Sequence, residues 1–424
     1  MRIVAIGDVG VLDDMIHIGD EAMFEEFVRQ LRARGAGHII GISASPADTA
    51  ERYGIEAIPQ IGFPDAHDRP ASDARRESVL RAARGEESAL MATDPAHRVI
   101  AAIRSADGVA ITGGGNLAST WPVHIYERST IGALASLFRV PLVISGQTIG
   151  PALTPDDAEV VRELLSSATR VGLRETASVE LCTRIGVPLE LLHATTDDAS
   201  FLGLDDPTPT AAPPPAENPA VETVSGETPS AEPRCLVSLS GHLGAWPRDE
   251  SLAALAALLD AVHTVTGLAI DFLPHFGSLN GVAGLGDDRI HAAVRDRMVS
   301  PPGRSLQVSD SLAAARLART ASLVLTSRYH PAVFAAGSGV PIIGIPVDDY
   351  TGVKLRGALG NLGQTGVIGI GDLITALANH DLEEFVSSLW SERQSIRARA
   401  SPLIAQARQA SAAWWDAVAA DFTR

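Results

Sequence analysis

The sequence predicts an α/β protein made of two doubly wound, Rossmann-like domains that face each other across a cleft. The first observation is that short apolar runs alternate with longer amphipathic runs along the chain. The second is that the apolar runs are nearly continuous, which is typical of parallel strands buried on both faces. The third is that a proline-rich segment divides the pattern into two halves, each long enough for its own core.

In the first half, four apolar runs are predicted as buried parallel strands. They cover residues 2–6, 38–43, 108–112 and 141–145. A helix is predicted over residues 21–34, because its apolar side chains fall roughly on one face at helical spacing. This alternation of strand and helix predicts a doubly wound sheet, whose ligands bind beyond the carboxyl ends of the strands.

The second half repeats the alternation. Strands are predicted at residues 234–240, 268–274, 321–327 and 340–345, with helices at residues 251–265 and 311–320. The last amphipathic stretch, residues 410–422, is predicted as a helix that uses Trp414 and Trp415 as docking anchors, with the first domain as one candidate surface.

The segment that separates the halves covers residues 205–233 and contains eight prolines and six acidic residues, without Lys or Arg. Such a composition buries too little apolar surface to offset the entropy of ordering, so we expect a linker or a disordered insertion. The predicted domains are therefore residues 1–204 and 234–424.

Charge and composition exclude several classes of function. A formal net charge of −17 argues against non-specific binding to nucleic acid or to anionic membranes. Cys182 and Cys235 are far apart and lack metal-ligand spacing, which indicates a reduced compartment and no metal site. The first residues are typical of a core strand, not of a signal peptide, and no segment has the ~18 apolar residues of a spanning helix. We therefore expect a cytoplasmic protein, with the inner face of the membrane as a further place of action.

Glycine-rich turns follow several predicted strands. Gly19 and Asp20 precede the first helix, Gly113, Gly114 and Gly115 follow the strand at residues 108–112, and Gly146 and Gln147 follow the strand at residues 141–145. Glycines at such places allow positive φ and let backbone N–H groups converge on an oxygen-rich ligand. The alternatives are a tight turn for the triplet and a helix cap for Asp20. The pattern is neither GxGxxG nor a Walker A motif, so a dinucleotide or nucleoside triphosphate site is poorly supported.

Charged side chains also follow predicted strands. Arg174 ends a short apolar run, Asp197 precedes an apolar turn, and Arg328 and His330 follow the run at residues 321–327. In an extended segment, side chains two residues apart point to the same face, which would place Arg328 and His330 together. The alternatives are structural ion pairs for the arginines and a capping or buried histidine.

The order of these motifs resembles the polysaccharide pyruvyl transferase family. The matching stretches are GDEA, GGGNL, GQTIGP, RETAS, TDDA, SRYH and YTGVKLRG. The resemblance implies a GT-B-like fold and transfer of the enolpyruvyl carbons of phosphoenolpyruvate to a sugar as a ketal, with release of phosphate and without a cofactor. Three positions depart from the family pattern. Ser119 and Glu175 replace aspartates. Thr148 replaces the second glycine of the family's G-x-G-I-G-P pattern, which reads GQTIGP here.

The resemblance also implies roles for individual residues. Phosphoenolpyruvate carries a carboxylate and a phosphate, both of which arginine binds bidentately. The histidine is expected to be the general acid, because its ordinary pKa near 6.5 suits proton transfer. The implied assignments are Arg174, Arg328, Lys354, Gly146 and Gln147 for the donor; His330 with Asp197 or Asp20 for proton transfer; and Gly19, Gly113, Gly114, Gly115, Asn116 and Trp121 for the acceptor cleft.

Two other functions stay open at this point. One is a GT-B glycosyltransferase or epimerase that uses a nucleotide sugar, and the other is a non-catalytic glycan-binding protein with the same fold. Under the leading hypothesis, the partners are phosphoenolpyruvate and a sugar acceptor that is free, nucleotide-linked or lipid-linked. Trp246 is a further candidate for contact with the acceptor.

Overall fold

The structure, a computed structural model of the chain, describes residues 1–64, 68–204, 233–307 and 310–423. Apart from Pro233, the predicted linker at residues 205–233 lies outside the described residues. The chain forms two units: unit 1 contains residues 1–12, 23–198 and 409–424, and unit 2 contains residues 13–22 and 199–408. The division therefore falls within the first and the last helix.

Strands and helices are numbered here in chain order. The strands of unit 1 are β1 (Arg2–Ile6), β3 (His38–Ser43), β4 (Glu56–Pro59), β5 (Gly108–Ile111), β6 (Gly114–Leu117), β7 (Leu142–Ile149), β8 (Arg170–Leu173) and β9 (Leu192–Ala194). Its helices are α1 (Ile18–Ala33, from Met23 onward), α2 (Pro46–Tyr53), α3 (Arg69–Ala83), α4 (Ala96–Arg104), α5 (Pro122–Phe138), α6 (Pro155–Ser166) and α7 (Thr176–Arg184).

Unit 2 has the same alternation. Its strands are β2 (Met15–His17), β10 (Arg234–Ser238), β11 (Ala269–Phe272), β12 (Phe276–Ser278), β13 (Arg304–Ser305), β14 (Leu323–Thr326) and β15 (Ile342–Gly344). Its helices are α8 (Arg248–Thr266), α9 (Asp288–Arg295), α10 (Ser311–Thr320), α11 (Tyr329–Ala336), α12 (Asp349–Gly360), α13 (Ile370–Asn379), α14 (Leu382–Ser391) and α15 (Arg393–Asp421, up to Arg408).

Each unit is built on a parallel sheet that reverses its direction of growth once. In unit 1 the order is β4-β3-β1-β5-β7-β8-β9, with β6 paired to β7. In unit 2 the order is β13-β11-β10-β14-β15, and β2 pairs antiparallel with β12 apart from that sheet. The reversals lie between β1 and β5 and between β10 and β14. Doubly wound sheets bind ligands at such switch points, beyond the carboxyl ends of the strands.

The cores are mainly aliphatic, as the low aromatic content requires. In unit 1, helices pack on one face of the sheet around residues such as Val4, Ile111 and Leu134, all fully buried. The end of α15 completes the other face of that sheet, where Trp415 makes an edge contact with Phe27 at 5.9 Å between ring centroids.

Three predicted boundaries were wrong, each for a local reason. Helix α1 begins at Ile18, not residue 21, because buried Ile18 directly follows β2 and donates its N–H to the carbonyl of His275. Strand β7 continues to Ile149, because β6 pairs with its second half. The last helix begins at Arg393, well before residue 410, and contains Pro402.

Candidate active site

The carboxyl ends of β10 and β14, at the switch point of unit 2, position the Arg-x-His pair. Strand β14 ends at Thr326, whose hydroxyl accepts the N–H of Arg328 at 2.9 Å and donates to the carbonyl of Ser238 at 2.8 Å. These bonds fix the turn from β14 into α11, so that Arg328 is the N-cap of α11. The N-terminus of a helix favours anions, which supports an anion site at this place.

The guanidinium of Arg328 is held by a buried carboxylate that the sequence analysis did not identify. Asp287 is fully buried and accepts from Nε of Arg328 at 3.0 and 3.2 Å and also from Nη2. The Arg328 side chain remains 27% exposed. Because Asp287 engages Nε and Nη2, the Nη1 edge of the fork is the part left for a ligand.

Backbone donors hold Asp287 in place. Its Oδ2 also accepts the N–H groups of His275 and Phe276, each at 3.0 Å. Burial lowers the pKa of His275 to about 4, and that of His291 likewise to about 4, so both imidazoles are neutral near pH 7. The positive charge of Arg328 is therefore balanced by one carboxylate in a setting of neutral histidines.

His330 lies beside Gly19 within unit 2. A Cβ atom on Gly19 would lie 1.8 Å from Nδ1 of His330, so glycine is what lets the ring occupy its place. Asp20 is the next residue after Gly19. Since α1 begins at Ile18, Asp20 is the third residue of the helix and not its N-cap as considered above.

The expected extended geometry of residues 328–330 was wrong. Arg328 has extended backbone angles, but α11 begins at Tyr329, so His330 is already the second helical residue and Pro331 the third. Proline is tolerated in the first turn because its missing N–H has no partner there in any case. The two side chains are therefore neighbours across a helix start, and the strand periodicity does not apply.

Lys354 is brought to the same helix start from α12. Its ammonium lies 4.9 Å from the ring centroid of Tyr329 and 4.7 Å from that of Tyr350, whose hydroxyl it contacts at 3.3 Å. Two aromatic rings thus hold the cation through their π faces. Tyr329 in turn makes an edge contact with His330 at 5.0 Å. Unit 2 therefore places Gly19, Asp20, Arg328, His330 and Lys354 around the beginning of α11.

Arg174, in unit 1, lies at the carboxyl end of β8 and is 1% exposed. Its Nε donates to the Thr148 hydroxyl at 2.7 Å and to Glu175 at 3.1 Å, while Nη1 donates to Asp197. Thr148 also donates to Glu175 at 2.6 Å. Two of the three departures noted above, Thr148 and Glu175, are thus direct partners of this arginine.

Asp198, next to Asp197, has a buried carboxyl group that packs beside Gly113 and Gly146. It accepts from the Ser145 hydroxyl at 2.7 Å and from the Gly113 N–H at 3.1 Å. Burial raises the pKa of Asp198 to about 7, and the neighbouring Asp197 acts in the same direction. A Cβ atom on Gly146 would lie 2.7 Å from the Asp198 carboxyl carbon.

The expected positive φ does not explain the glycines at positions 113 and 114. Gly113 and Gly114 do not adopt positive φ, and Gly114, Gly115 and Asn116 belong to strand β6. A side chain at Gly113 would collide with Met23 and Asp198, so close packing explains this glycine. Gly146, in contrast, has a φ of +54° and lies within β7, where the register of pairing with β8 shifts between Ile144 and Gln147.

Gln147 and Asn116 present buried polar atoms near Gly114. The Gln147 amide nitrogen donates to the carbonyl of Thr112 at 2.5 Å. Within the described part of the chain, Oε1 of Gln147 and Nδ2 of Asn116 have no hydrogen-bond partner. One acceptor and one donor thus flank Gly114 at the carboxyl end of the sheet. Trp121, the last predicted acceptor residue, is 46% exposed at the start of α5.

Sequence reasoning also missed a cluster at the switch point of unit 1. Asp8 follows β1 and pairs with Arg128 at 2.9 Å and with Nδ1 of His124 at 3.3 Å. Burial lowers the pKa of His124. The position of Asp8 directly after the first strand was a signal that could have found it, whereas its partners are brought to it by α5.

Among the described residues, no three His, Cys, Asp or Glu side chains are grouped as a metal ion would require. No helix in the same part of the chain has both the length and the apolar character needed to cross a membrane.

Solved structures with the same architecture define the fold class of this protein. UGT89C1 of Arabidopsis thaliana in complex with quercetin aligns with a TM-score of 0.55 at 12% identity, over 99% of both chains. A UDP co-structure of MnaA from S. aureus aligns with a TM-score of 0.53 at 11% identity, over 92% of this chain and 91% of the other. The UDP-GlcNAc 2-epimerase of Methanocaldococcus jannaschii aligns with a TM-score of 0.52 at 12% identity, over 89% and 92%. The predicted α/β, GT-B-like fold class is thereby confirmed.

The family follows from the sequence. The family model of polysaccharide pyruvyl transferase matches residues 17–349, which is most of the chain. The protein therefore belongs to the polysaccharide pyruvyl transferase family, and the resemblance noted from its motifs is confirmed. Among curated proteins, none matches the chain.

Proposed function

We propose that the protein transfers the enolpyruvyl group of phosphoenolpyruvate to two hydroxyls of a sugar, forming a pyruvate ketal and releasing phosphate. The observation that supports this most is the group at the start of α11 in unit 2. There, Arg328 presents the Nη1 edge of a guanidinium fixed by Asp287, with Lys354 and the helix N-terminus adding positive potential. An anion with two charged groups, such as the carboxylate and the phosphate of phosphoenolpyruvate, is the ligand that this arrangement favours.

In this proposal His330 is the general acid. It gives a proton to carbon 3 of phosphoenolpyruvate, and carbon 2 becomes an oxocarbenium-like centre. One sugar hydroxyl adds to carbon 2 and loses its proton to a base; the bond from carbon 2 to the phosphate oxygen then breaks, and a second hydroxyl adds. One hydroxyl proton replaces the proton given by His330 and the other leaves with phosphate, so the step balances without a redox partner.

The structure favours Asp20 over Asp197 as the base of this proposal. Asp197 is buried and ion-paired with Arg174, so it would have to give up that pair to accept a proton from a hydroxyl. Asp20 is partly exposed and adjoins Gly19, against which the His330 ring lies. For the same reason, Arg174 would have to exchange a carboxylate for the ligand, and we assign the first donor contacts to Arg328 and Lys354.

The test is a calorimetric titration of the full chain with phosphoenolpyruvate, UDP and GDP. We expect saturable binding of phosphoenolpyruvate and a higher melting temperature in its presence, because a ligand that binds only the native state stabilises it. Arg328→Lys should weaken binding at least tenfold, since an ammonium cannot bond Asp287 and the ligand with the same planar fork. Arg399→Lys, at a half-exposed arginine of α15, is the matched control.

Arg328→Lys is preferred to Arg328→Ala because it leaves a positive charge beside buried Asp287. Binding of UDP or GDP without phosphoenolpyruvate binding would refute the proposed donor and favour a nucleotide-sugar enzyme. Tight binding of phosphoenolpyruvate that is unchanged in Arg328→Lys would refute the site.

A further inference from the structure

A cavity in unit 1 lies outside the groups discussed so far. Its volume is about 290 Å³, and it is lined by Arg69, Ser119, Pro122, Tyr126, Thr154, Asp156 and Asp157. We call it the α3–α6 pocket. Its residues come from the first turns of α3, α5 and α6 and from the segments before α5 and α6. These turns follow the carboxyl ends of β4, β6 and β7, where doubly wound sheets bind their ligands.

The polar groups of the pocket form a connected network. Arg69 donates from Nη2 to Asp157 and from Nη1 to the Tyr126 hydroxyl at 3.3 Å. Ser119 donates to Asp157 at 2.5 Å and accepts the backbone N–H of Thr154 at 2.8 Å. These bonds hold the side chains in place before any ligand arrives, which reduces the entropy lost on binding.

The charges in the pocket disfavour an anionic ligand. Two carboxylates, Asp156 and Asp157, face one guanidinium, whose Nε is 3.9 Å from Asp156. Burial raises the pKa of Tyr126 to about 12, so its hydroxyl stays protonated and adds no negative charge at neutral pH. The net negative lining would repel phosphates and nucleotides, whereas it would not repel a neutral ligand.

The remaining hydrogen-bonding capacity suits hydroxyl groups. The carboxylate of Asp156 is largely exposed, with 76% of its side chain accessible, and accepts only, while the Arg69 guanidinium donates only. A vicinal diol has one donor and one acceptor in each hydroxyl and can pair with both kinds of group. The volume of about 290 Å³ lies just below the ~300–1,000 Å³ of typical small-molecule sites, so the pocket suits a single sugar ring.

One exposed aromatic residue is a direct sequence neighbour of the pocket lining. Trp121 immediately precedes Pro122 of the lining and is 46% exposed, although tryptophan usually buries most of its surface. An indole at the edge of a polar pocket offers an apolar face to the C–H groups of a sugar ring.

We propose that the α3–α6 pocket binds one neutral pyranose ring, with Arg69 and Asp156 bonded to its hydroxyls, Asp157 holding Arg69 in place and Trp121 stacked on the ring face. The neutral ligand follows from the pocket alone. Its role as part of the acceptor glycan rests on the proposed function.

The experiment uses the full chain and saturation-transfer NMR with the methyl pyranosides of glucose, galactose, mannose, N-acetylglucosamine and N-acetylmannosamine. At least one of them should bind saturably. Trp121→Ala should weaken that binding about tenfold, and Arg69→Met at least as much. Leu189→Ala is the control, because Leu189 is an apolar side chain of unit 1 that is 63% exposed and does not line the α3–α6 pocket. It should change the affinity less than twofold.

Three outcomes would overturn the proposal: no saturable binding of any pyranoside, equal losses in Trp121→Ala and Leu189→Ala, or displacement of the bound sugar by phosphoenolpyruvate. Trp121→Ala removes a half-exposed side chain, so a folded variant is expected even where Arg69→Met, which leaves buried Asp157 without its cation, lowers stability. Titration of phosphoenolpyruvate on the same samples separates the two proposals. Sugar binding without donor binding would refute the proposed function and leave the pocket intact.

Discussion

The contact between Gly19 and His330 makes Gly19→Ala the most informative single substitution. The new Cβ would lie 1.8 Å from Nδ1 of His330 and 2.4 Å from Cε1. Ordinary contacts of a Cβ begin near 3.4 Å, so the Nδ1 atom has to retreat by the difference between 3.4 and 1.8, about 1.6 Å. The ring cannot remain in place.

The expected magnitude combines two opposing effects. Within a helix, alanine stabilises the folded state by up to about 1 kcal/mol relative to glycine, which favours the variant. Overpacking in a closely packed site costs about 1–3 kcal/mol, and a clash as close as this one belongs at the upper end. We expect the free energy of unfolding of unit 2 to fall by about 1–2 kcal/mol, which lowers its melting temperature by roughly 2–8 °C for a unit of this size. Under the proposed function, in which His330 is the general acid, its displacement by more than 1 Å should reduce turnover by about 10²-fold.

The assay is a double-mutant cycle followed by calorimetry. Gly19→Ala is measured alone and in the His330→Ala background, where the ring that causes the clash is absent. The destabilisation should disappear in that background, and alanine should become neutral or favourable. Gly360→Ala is the matched control, because Gly360 is also helical and no heavy atom lies within 4 Å of its added Cβ. An equal cost of Gly19→Ala with and without His330 would refute the reasoning.

Three further predictions concern charged groups. Asp287→Asn should destabilise unit 2 by about 2–3 kcal/mol and weaken phosphoenolpyruvate binding at least tenfold, because Arg328 loses its buried counter-charge; chemical denaturation and calorimetry measure both. Lys354→Met should weaken that binding about tenfold with a change in melting temperature below about 3 °C, since the cation is partly exposed. For Asp198, the raised pKa of about 7 means that its neutral form stabilises unit 1 below pH 4, and that this stabilisation is lost as the pH rises to 7. Asp198→Asn, which cannot ionise, should therefore gain a few kcal/mol relative to the wild type between pH 4 and 7, and no more above pH 7.

Each of these predictions has its own control. For Asp287→Asn it is Asp288→Asn, the adjacent first residue of α9, which leaves the Asp287–Arg328 pair in place. For Lys354→Met it is Arg356→Met on the same helix; equal losses of affinity in both would indicate a general effect of net charge. For Asp198, parallel stability curves of wild type and Asp198→Asn across pH 4–7 would contradict the shifted ionisation.

The sequence predicted the fold class because apolar periodicity reports directly which segments are buried. Buried runs such as residues 2–6 coincide with β1, and the run at residues 321–327 contains β14. The same pattern placed Arg328 and His330 after a strand, which is where a doubly wound sheet exposes its site. Boundaries were less well predicted, because Ile18 and the second half of β7 depend on neighbours that periodicity does not report.

The partners of the candidate residues could not be predicted from the pattern. Asp287 precedes Arg328 by 41 residues, and nothing in the sequence around it distinguishes it from other exposed-looking aspartates. Asp198 looked like the twin of Asp197, yet one is ion-paired with Arg174 and the other is a buried acid with a raised pKa. Such differences arise from which elements converge in three dimensions, and residue type alone does not determine them.

The location of the chain's last helix has a consequence for the order in which the protein is made. Gly108 and Gly172 leave room in the sheet of unit 1 for the rings of Phe422 and Trp414, which would otherwise collide with a Cβ at 2.1 and 2.7 Å. The ribosome completes the main part of unit 1 at residue 198 and adds Trp414 only 216 residues later. At ~5–20 residues per second, the rest of unit 1 waits roughly 10–45 s with an uncovered apolar face. During that interval we expect chaperones to bind the uncovered face, and translation speed over the second half should affect the yield of folded protein.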